Sequence, residues 1–202
     1  MKTRRVAAIG AVLLTVLLTV RLATGAIIDF EALAHSEPSW VTYSSISEDG
    51  YTLSSSVGIN ITGSAGIPGQ VDGYKGSATA WVSGGNTIFM VKDDSGSFDL
   101  KSIDLARFSD TYTGSTTVEI IGYNAGGTQV TSQSFALPGS GDESLHTYVL
   151  NSTFSGIYKA SWMQTPDYYQ VDNINVIPEP ASLGLIALVS GGIYFSRRFF
   201  SV

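Results

Sequence analysis

Two carboxylates one residue apart, in Ile28-Asp29-Phe30-Glu31, would project from the same face of an extended strand, as a glycosidase acid and base pair can. With sixteen carboxylates between residues 27 and 177, such pairs also arise by chance. The other adjacent acids, in Glu48-Asp49-Gly50 and Asp93-Asp94-Ser95-Gly96, read as turns. Only two histidines occur, His35 and His146, and there is no Gly-x-Ser-x-Gly elbow, Walker loop, dinucleotide fingerprint or EF-hand loop. The absence of cysteine removes disulfides, thiolate catalysis and Cys-ligated zinc together. The chemistry therefore points away from an enzyme and from any organic cofactor. Aromatic side chains offer more. Trp40, Tyr43, Tyr112, Tyr168 and Tyr169 lie in or beside polar segments, where rings can stack on the faces of sugars, whereas Trp81, Trp162 and most phenylalanines are expected to fill a core.

The elements that must position these residues lie between residues 27 and 177, a length suited to one domain with a proper core. This body carries five basic residues (Lys75, Lys92, Lys101, Arg107, Lys159) against its sixteen acids, a net charge of −11, which excludes nucleic acid as a natural partner and suits a soluble surface. Short runs rich in β-branched and aromatic residues alternate with Gly, Asn, Asp and Ser, and no stretch sustains a helical period. Strands are predicted over 27–30, 41–46, 51–55, 58–62, 78–82, 87–91, 100–108, 116–123, 129–136, 146–150, 157–164 and 169–176. The clearest pair is a hairpin turning at Asn124-Ala125-Gly126-Gly127. In Leu100-Lys101-Ser102-Ile103-Asp104-Leu105 the apolar phase slips from even to odd positions, which requires a bulge. So many short strands without a helix predict an all-β fold, a β-sandwich or jelly roll.

Both ends differ from the body. Residues 1–26 run from basic Met1-Lys2-Thr3-Arg4-Arg5 through an apolar stretch to Ala23-Thr24-Gly25-Ala26, the layout of a secretory signal peptide, with cleavage expected after Gly25 or Ala26. Residues 178–202 hold Pro178-Glu179-Pro180, an uncharged apolar run from Ala181 to Phe195, and Arg197-Arg198. The prolines mark a boundary through which no regular element should continue. At about 1.5 Å per residue the apolar run would span roughly 22 Å as a helix, short of the roughly 30 Å hydrocarbon core. Arg197 and Arg198 would sit at headgroups and hold the C-terminus in the cytoplasm, with the body outside.

Val176-Ile177-Pro178-Glu179-Pro180-Ala181-Ser182, followed by the short span and Arg197-Arg198, resembles a PEP-CTERM sorting signal. The resemblance implies an exosortase as processing partner. It also implies a stay in the inner membrane through the C-terminal helix, then release or attachment at the surface or matrix of a Gram-negative, exopolysaccharide-producing bacterium. The body, through Ile28-Asp29-Phe30-Glu31, Phe98-Asp99-Leu100-Lys101-Ser102-Ile103-Asp104-Leu105 and Val171-Asp172-Asn173-Ile174-Asn175-Val176, resembles the jelly-roll modules of secreted bacterial proteins, carbohydrate-binding modules among them. That resemblance implies a structural calcium ion held by Glu31 and Asp172, with Asp29 or Asn173 as helpers. The expected role is a non-enzymatic component associated with extracellular polysaccharide. The alternatives are a carbohydrate-binding module and, in another class, a secreted glycan-active enzyme.

Overall fold

A computed structural model describes residues 25–35, 39–63, 76–107, 116–139, 142, 144–164 and 169–178, all within one compact unit, Gly25–Pro178. Residues 1–24 of the expected signal peptide, Glu179, Pro180, the apolar run and Arg197-Arg198 lie outside the described residues, as do Tyr112 and Tyr168. Among the described residues, no helix is long and apolar enough to cross a membrane.

The described residues form eleven strands, in order β1 Ala26–Ile28, β2 Trp40–Glu48, β3 Tyr51–Thr62, β4 Thr79–Trp81, β5 Thr87–Lys92, β6 Phe98–Arg107, β7 Thr117–Tyr123, β8 Gln129–Ala136, β9 His146–Val149, β10 Lys159–Met163 and β11 Tyr169–Pro178. Helix among the described residues is confined to the 3-10 turns Glu31–Leu33 and Ser152–Phe154. The strands form one continuous antiparallel sheet in the order β8-β7-β10-β5-β3-β4-β11-β6-β9, with β1 beside β11 and β2 beside β3. The sheet wraps around a single apolar core that draws on both of its halves, including Ile28, Leu53, Ile61, Met90, Leu105, Ile120, Trp162 and Val171. This is the all-β arrangement expected of a sandwich.

The long strand β3 makes the wrap possible. Its first part, Tyr51 to Ser54, pairs with β5, and its last part, Asn60 to Thr62, pairs with β4. Between them the pairing with β2 jumps from Tyr43↔Ile59 to Ser45↔Ser54, so residues 55–58 of β3 stand against Ser44 alone and the strand turns from one half to the other. Gly58 adopts φ 81° there, and a Cβ on it would meet Thr42 Cγ2 at 2.8 Å and the Tyr43 carbonyl oxygen at 3.0 Å. The two strands predicted over 51–55 and 58–62 are the two arms of this bent strand. At its start, Asp49 (φ 49°) and Gly50 (φ 82°) form the two-residue turn closing the β2–β3 hairpin, whose mirror-image geometry follows the twist of the strands.

The bulge predicted in β6 is present. Asn175 pairs with Ser102 while Val176 pairs with Leu100, so one extra residue stands on β6, and the inward positions shift from Leu100 to Ile103. A second irregularity lies on β11, where Asp172 pairs with Asp104 and Asn175 with Ser102, and Asn173 takes φ 44°. The expected hairpin joins β7 and β8 through hydrogen bonds from Gly127 N to Asn124 O (3.0 Å) and from Thr128 N to Asn124 Oδ1 (3.0 Å). The outermost strands β8 and β9 are stitched by Gln133, which donates to Val149 O (3.3 Å) and accepts from Asn151 N (2.9 Å), so the sheet is nearly closed. Pro178 ends β11 opposite Phe98, at a terminal position where its missing amide interrupts no ladder.

Candidate ligand-binding surface

Strand register settles which side chains share a face. Trp40 and Thr42 on β2 lie beside Thr62 and Asn60 on β3, which lie beside Thr79 and Trp81 on β4, all directed away from the core. Trp40 is 48% exposed, and its ring stands edge-on to the buried Trp81, with centroids 5.8 Å apart and planes at 72°. Thr42 Oγ1 donates to Asn60 Oδ1 (2.6 Å), Thr79 Oγ1 to Thr62 Oγ1 (3.3 Å) and Gln170 Nε2 to Thr79 Oγ1 (2.7 Å). An exposed indole thus rests on a second indole at the margin of a polar, hydrogen-bonded row. A pyranose can place its CH face on such a ring while a hydroxyl reaches the exposed Thr42, the rest of the row being buried.

The other aromatics expected at a ligand platform are placed differently. Tyr43 is half-buried and packs against the core. Tyr169 is 0% exposed, and its hydroxyl donates to Met163 O (2.9 Å), so it is a core residue whose phenol burial pushes its ionisation far above the ordinary value. Its polar sequence neighbours concealed this, because a strand facing both ways hides its inward residues among polar ones.

A second aromatic group, on the β10 half of the sheet, was not singled out from the sequence. Lys159 Nζ lies 4.2 Å from the ring centroid of Tyr123 and 5.2 Å from that of Phe89. Tyr123 Oη and Ser161 Oγ are 3.0 Å apart. Alternation in Lys159-Ala160-Ser161-Trp162-Met163 puts Lys159, Ser161 and Met163 opposite the buried Ala160 and Trp162, and cross-strand register adds Tyr123, Ile121, Phe89 and Val91 to that outer face. The period-2 pattern of β10 was legible. Its lateral neighbours required the register.

The acids gather around the opening and closing strands. The strand expected over 27–30 stops at Ile28, because Phe30 takes a left-handed conformation (φ 58°) and Glu31 begins a 3-10 turn. Asp29 and Glu31 therefore do not share a strand face. Asp29 Oδ1 accepts from Glu31 N (3.0 Å), and Asp29 shares a side-chain hydrogen bond with Glu48, whose carboxyl is raised by burial and by this partner. Glu31 Oε1 accepts from Ala78 N (2.9 Å), and the adjacent Ser77 donates to Asp172 Oδ2 (2.5 Å). Asp172 is completely buried, and its carboxyl is pushed up to about 7. Burial is the main cause and the charges of Glu31 and Asp104 add to it, against the hydrogen bonds from Ser77 and Asn173 N. Asn173 Nδ2 donates to Asp104 Oδ2 (2.9 Å).

Of the expected calcium ligands, Glu31 and Asp172 are brought to the same dipeptide, Ser77-Ala78, while Asp29 and Asn173 are engaged with other carboxyls. Among the described residues, no three acidic or histidine side chains converge as a metal-binding group. The fit to calcium is thus limited to the first pair. Of the histidines, His35 Nε2 is 3.4 Å from Ile61 O, and His146 Nε2 is 2.9 Å from Asp142 Oδ2.

Fold and face together define a wrapped, antiparallel all-β domain with two outward aromatic groups. No protein-family model matches the chain, and no curated protein matches it significantly. Among solved structures, a DUF4465 family protein from Bacteroides caccae is 14% identical, with a TM-score of 0.52, over 77% of this chain and 100% of that one. A family 29 carbohydrate-binding module is 16% identical over 78% of this chain and 89% of its own, with a TM-score of 0.45. A variant of such a module complexed with mannohexaose gives 16%, 78%, 92% and 0.45 for the same quantities. The first likeness establishes a shared fold. The other two add no argument about this chain.

Proposed function

We propose that the protein is an exported, non-catalytic component of a bacterial surface or matrix that binds polysaccharide. The observation that carries the binding is Trp40: a large ring left half exposed on a strand, braced by Trp81 and bordered by Thr42 and Asn60, is costly to leave in water unless something covers it. Stacking on a neutral sugar ring answers that cost and calls for no charge on the ligand. Export and processing rest on the sequence of the two ends, with an exosortase acting at Pro178-Glu179-Pro180. The domain is suited to such trimming, since its chain enters on β1 and leaves on β11, which pair directly at Ala26↔Val176. A structural calcium ion held by Glu31 and Asp172, completed by backbone carbonyls and water, belongs to the same proposal.

The binding claim is tested by electrophoresis of the exported protein through gels containing neutral polysaccharides such as glucan or mannan. Retardation is expected. Trp40→Ala should weaken it at least tenfold, about 1.4 kcal/mol, at a temperature where the melting curve shows the variant fully folded. No retardation by any neutral polymer, or equal retardation of the variant, would return the protein to a scaffold role.

A further inference from the structure

The three lysines among the described residues are not equivalent. Lys92 pairs with Asp94 (2.7 Å) and Lys101 with Asp99 (2.7 Å), whereas Lys159 meets no carboxylate of the described residues within 4 Å and is held over the faces of Tyr123 and Phe89. Ring faces attract a cation through their quadrupole but supply no oxygen acceptor, so the three N–H donors of the ammonium are left to find one. The surroundings are apolar at short range, with Ile121 half-buried, Val91 36% exposed and Met163 55% exposed. The carboxylates nearest in register on this face are Asp93, which accepts from Thr52 Oγ1 (2.6 Å), and Glu119, two residues along β7 from Ile121. Neither forms an ion pair with Lys159.

We infer that Lys159, Tyr123 and Phe89 form a second glycan subsite, selective for a uronate: a sugar whose carboxylate accepts from the Lys159 ammonium while its ring lies against the aromatic and methionine side chains. The charge of the site is the reverse of the body's. With a net of −11 the domain repels polyanions at long range, but charges beyond roughly 10 Å are screened at 0.1 M salt, and a carboxylate at Lys159 meets the positive group first. The subsite rests on the polysaccharide reading but not on Trp40, which lies on the other half of the sheet.

The probes are polygalacturonate and its methyl ester, in affinity gels and by calorimetry at 0.1 M salt with the exported protein. The free acid should bind at least tenfold more tightly than the ester. Lys159→Gln and Tyr123→Ala should each lose that preference, Lys159→Arg should keep most of it, and Trp40→Ala should leave it unchanged. Equal binding of acid and ester, indifference to Lys159→Gln, or no binding of polygalacturonate by the wild type would each overturn the inference. Loss of neutral-polymer binding in Trp40→Ala with the uronate preference intact would separate the two sites. Survival of neutral binding with no uronate preference would sink this one alone.

Discussion

Replacing Asp172 by asparagine should abolish most of a pH dependence that the wild-type fold carries. In the unfolded chain this carboxyl titrates near its ordinary 3.8, and in the fold it holds its proton to about 7, because it is fully buried and faces the charges of Glu31 and Asp104. Below pH 3.8 both states are protonated and the group contributes its full share of stability. Between pH 4 and 7 the unfolded chain releases the proton while the fold retains it, so stability falls as pH rises, and the loss is complete just above pH 7. Glu48, raised by burial and by Asp29, acts in the same direction. At about 1.4 kcal/mol per unit, a displacement of about three units sets a ceiling of about 4 kcal/mol for Asp172. About 0.8 unit of this is already lost by pH 4.5, leaving about 3 kcal/mol, and a domain of this size shifts by roughly 2–4 °C per kcal/mol, so the wild type should melt up to about 6–12 °C lower at pH 8 than at pH 4.5 from this group. Asparagine keeps an oxygen for Asn173 N and an amide for Ser77 Oγ but does not titrate. Calorimetric scans from pH 4.5 to 8, run with a chelator because a cation bound at Asp172 would require the ionised carboxylate, should therefore show a flatter profile for Asp172→Asn, with the gain at high pH. Parallel profiles for the two proteins would refute the assignment of a neutral, buried carboxyl.

Further outcomes follow from the same structure. Gly58→Ala should cost about 1–3 kcal/mol, because it places a Cβ at a left-handed position against Thr42 Cγ2 and the Tyr43 carbonyl, and chemical denaturation should read the loss as a lower midpoint. If Glu31 and Asp172 hold calcium, a hundredfold excess over Kd adds about 2.7 kcal/mol and raises the melting temperature by roughly 5–11 °C; a chelator that leaves the melting curve unchanged removes the ion from the account. Mass spectrometry of the exported protein should find a C-terminus just after Pro178, sparing β11, and intact Phe199-Phe200-Ser201-Val202 in most molecules would contradict processing.

Much of the fold was legible because its signals are local. The alternation in β7, the Asn124 turn and the Asp49-Gly50 turn each depend on a few neighbouring residues, and the phase slip between Leu100 and Ile103 announced the β6 bulge without any partner strand. Less was legible where the answer depends on what lies across the sheet. Tyr169 looked like a surface tyrosine beside Asp167, yet its inward direction is set by pairing with Arg107. Asp29 and Glu31 looked like one strand face until Phe30 turned left-handed, a conformation in which its amide donates to the Glu48 carboxyl at 3.2 Å, from a strand distant in sequence. Of the site, Trp40 could be named from the sequence, whereas Trp81 beneath it and the Lys159 pair of rings are properties of register.

The central claim, that a neutral sugar stacks on Trp40, is tested most directly by following the indole N–H signals of the three tryptophans while a neutral oligosaccharide is titrated into the exported protein. Trp40 should shift most, Trp81 should follow because the rings are in contact, and Trp162, buried on β10, should stay in place. A titration that moves none of the three signals, or moves Trp162 as much as Trp40, would contradict it.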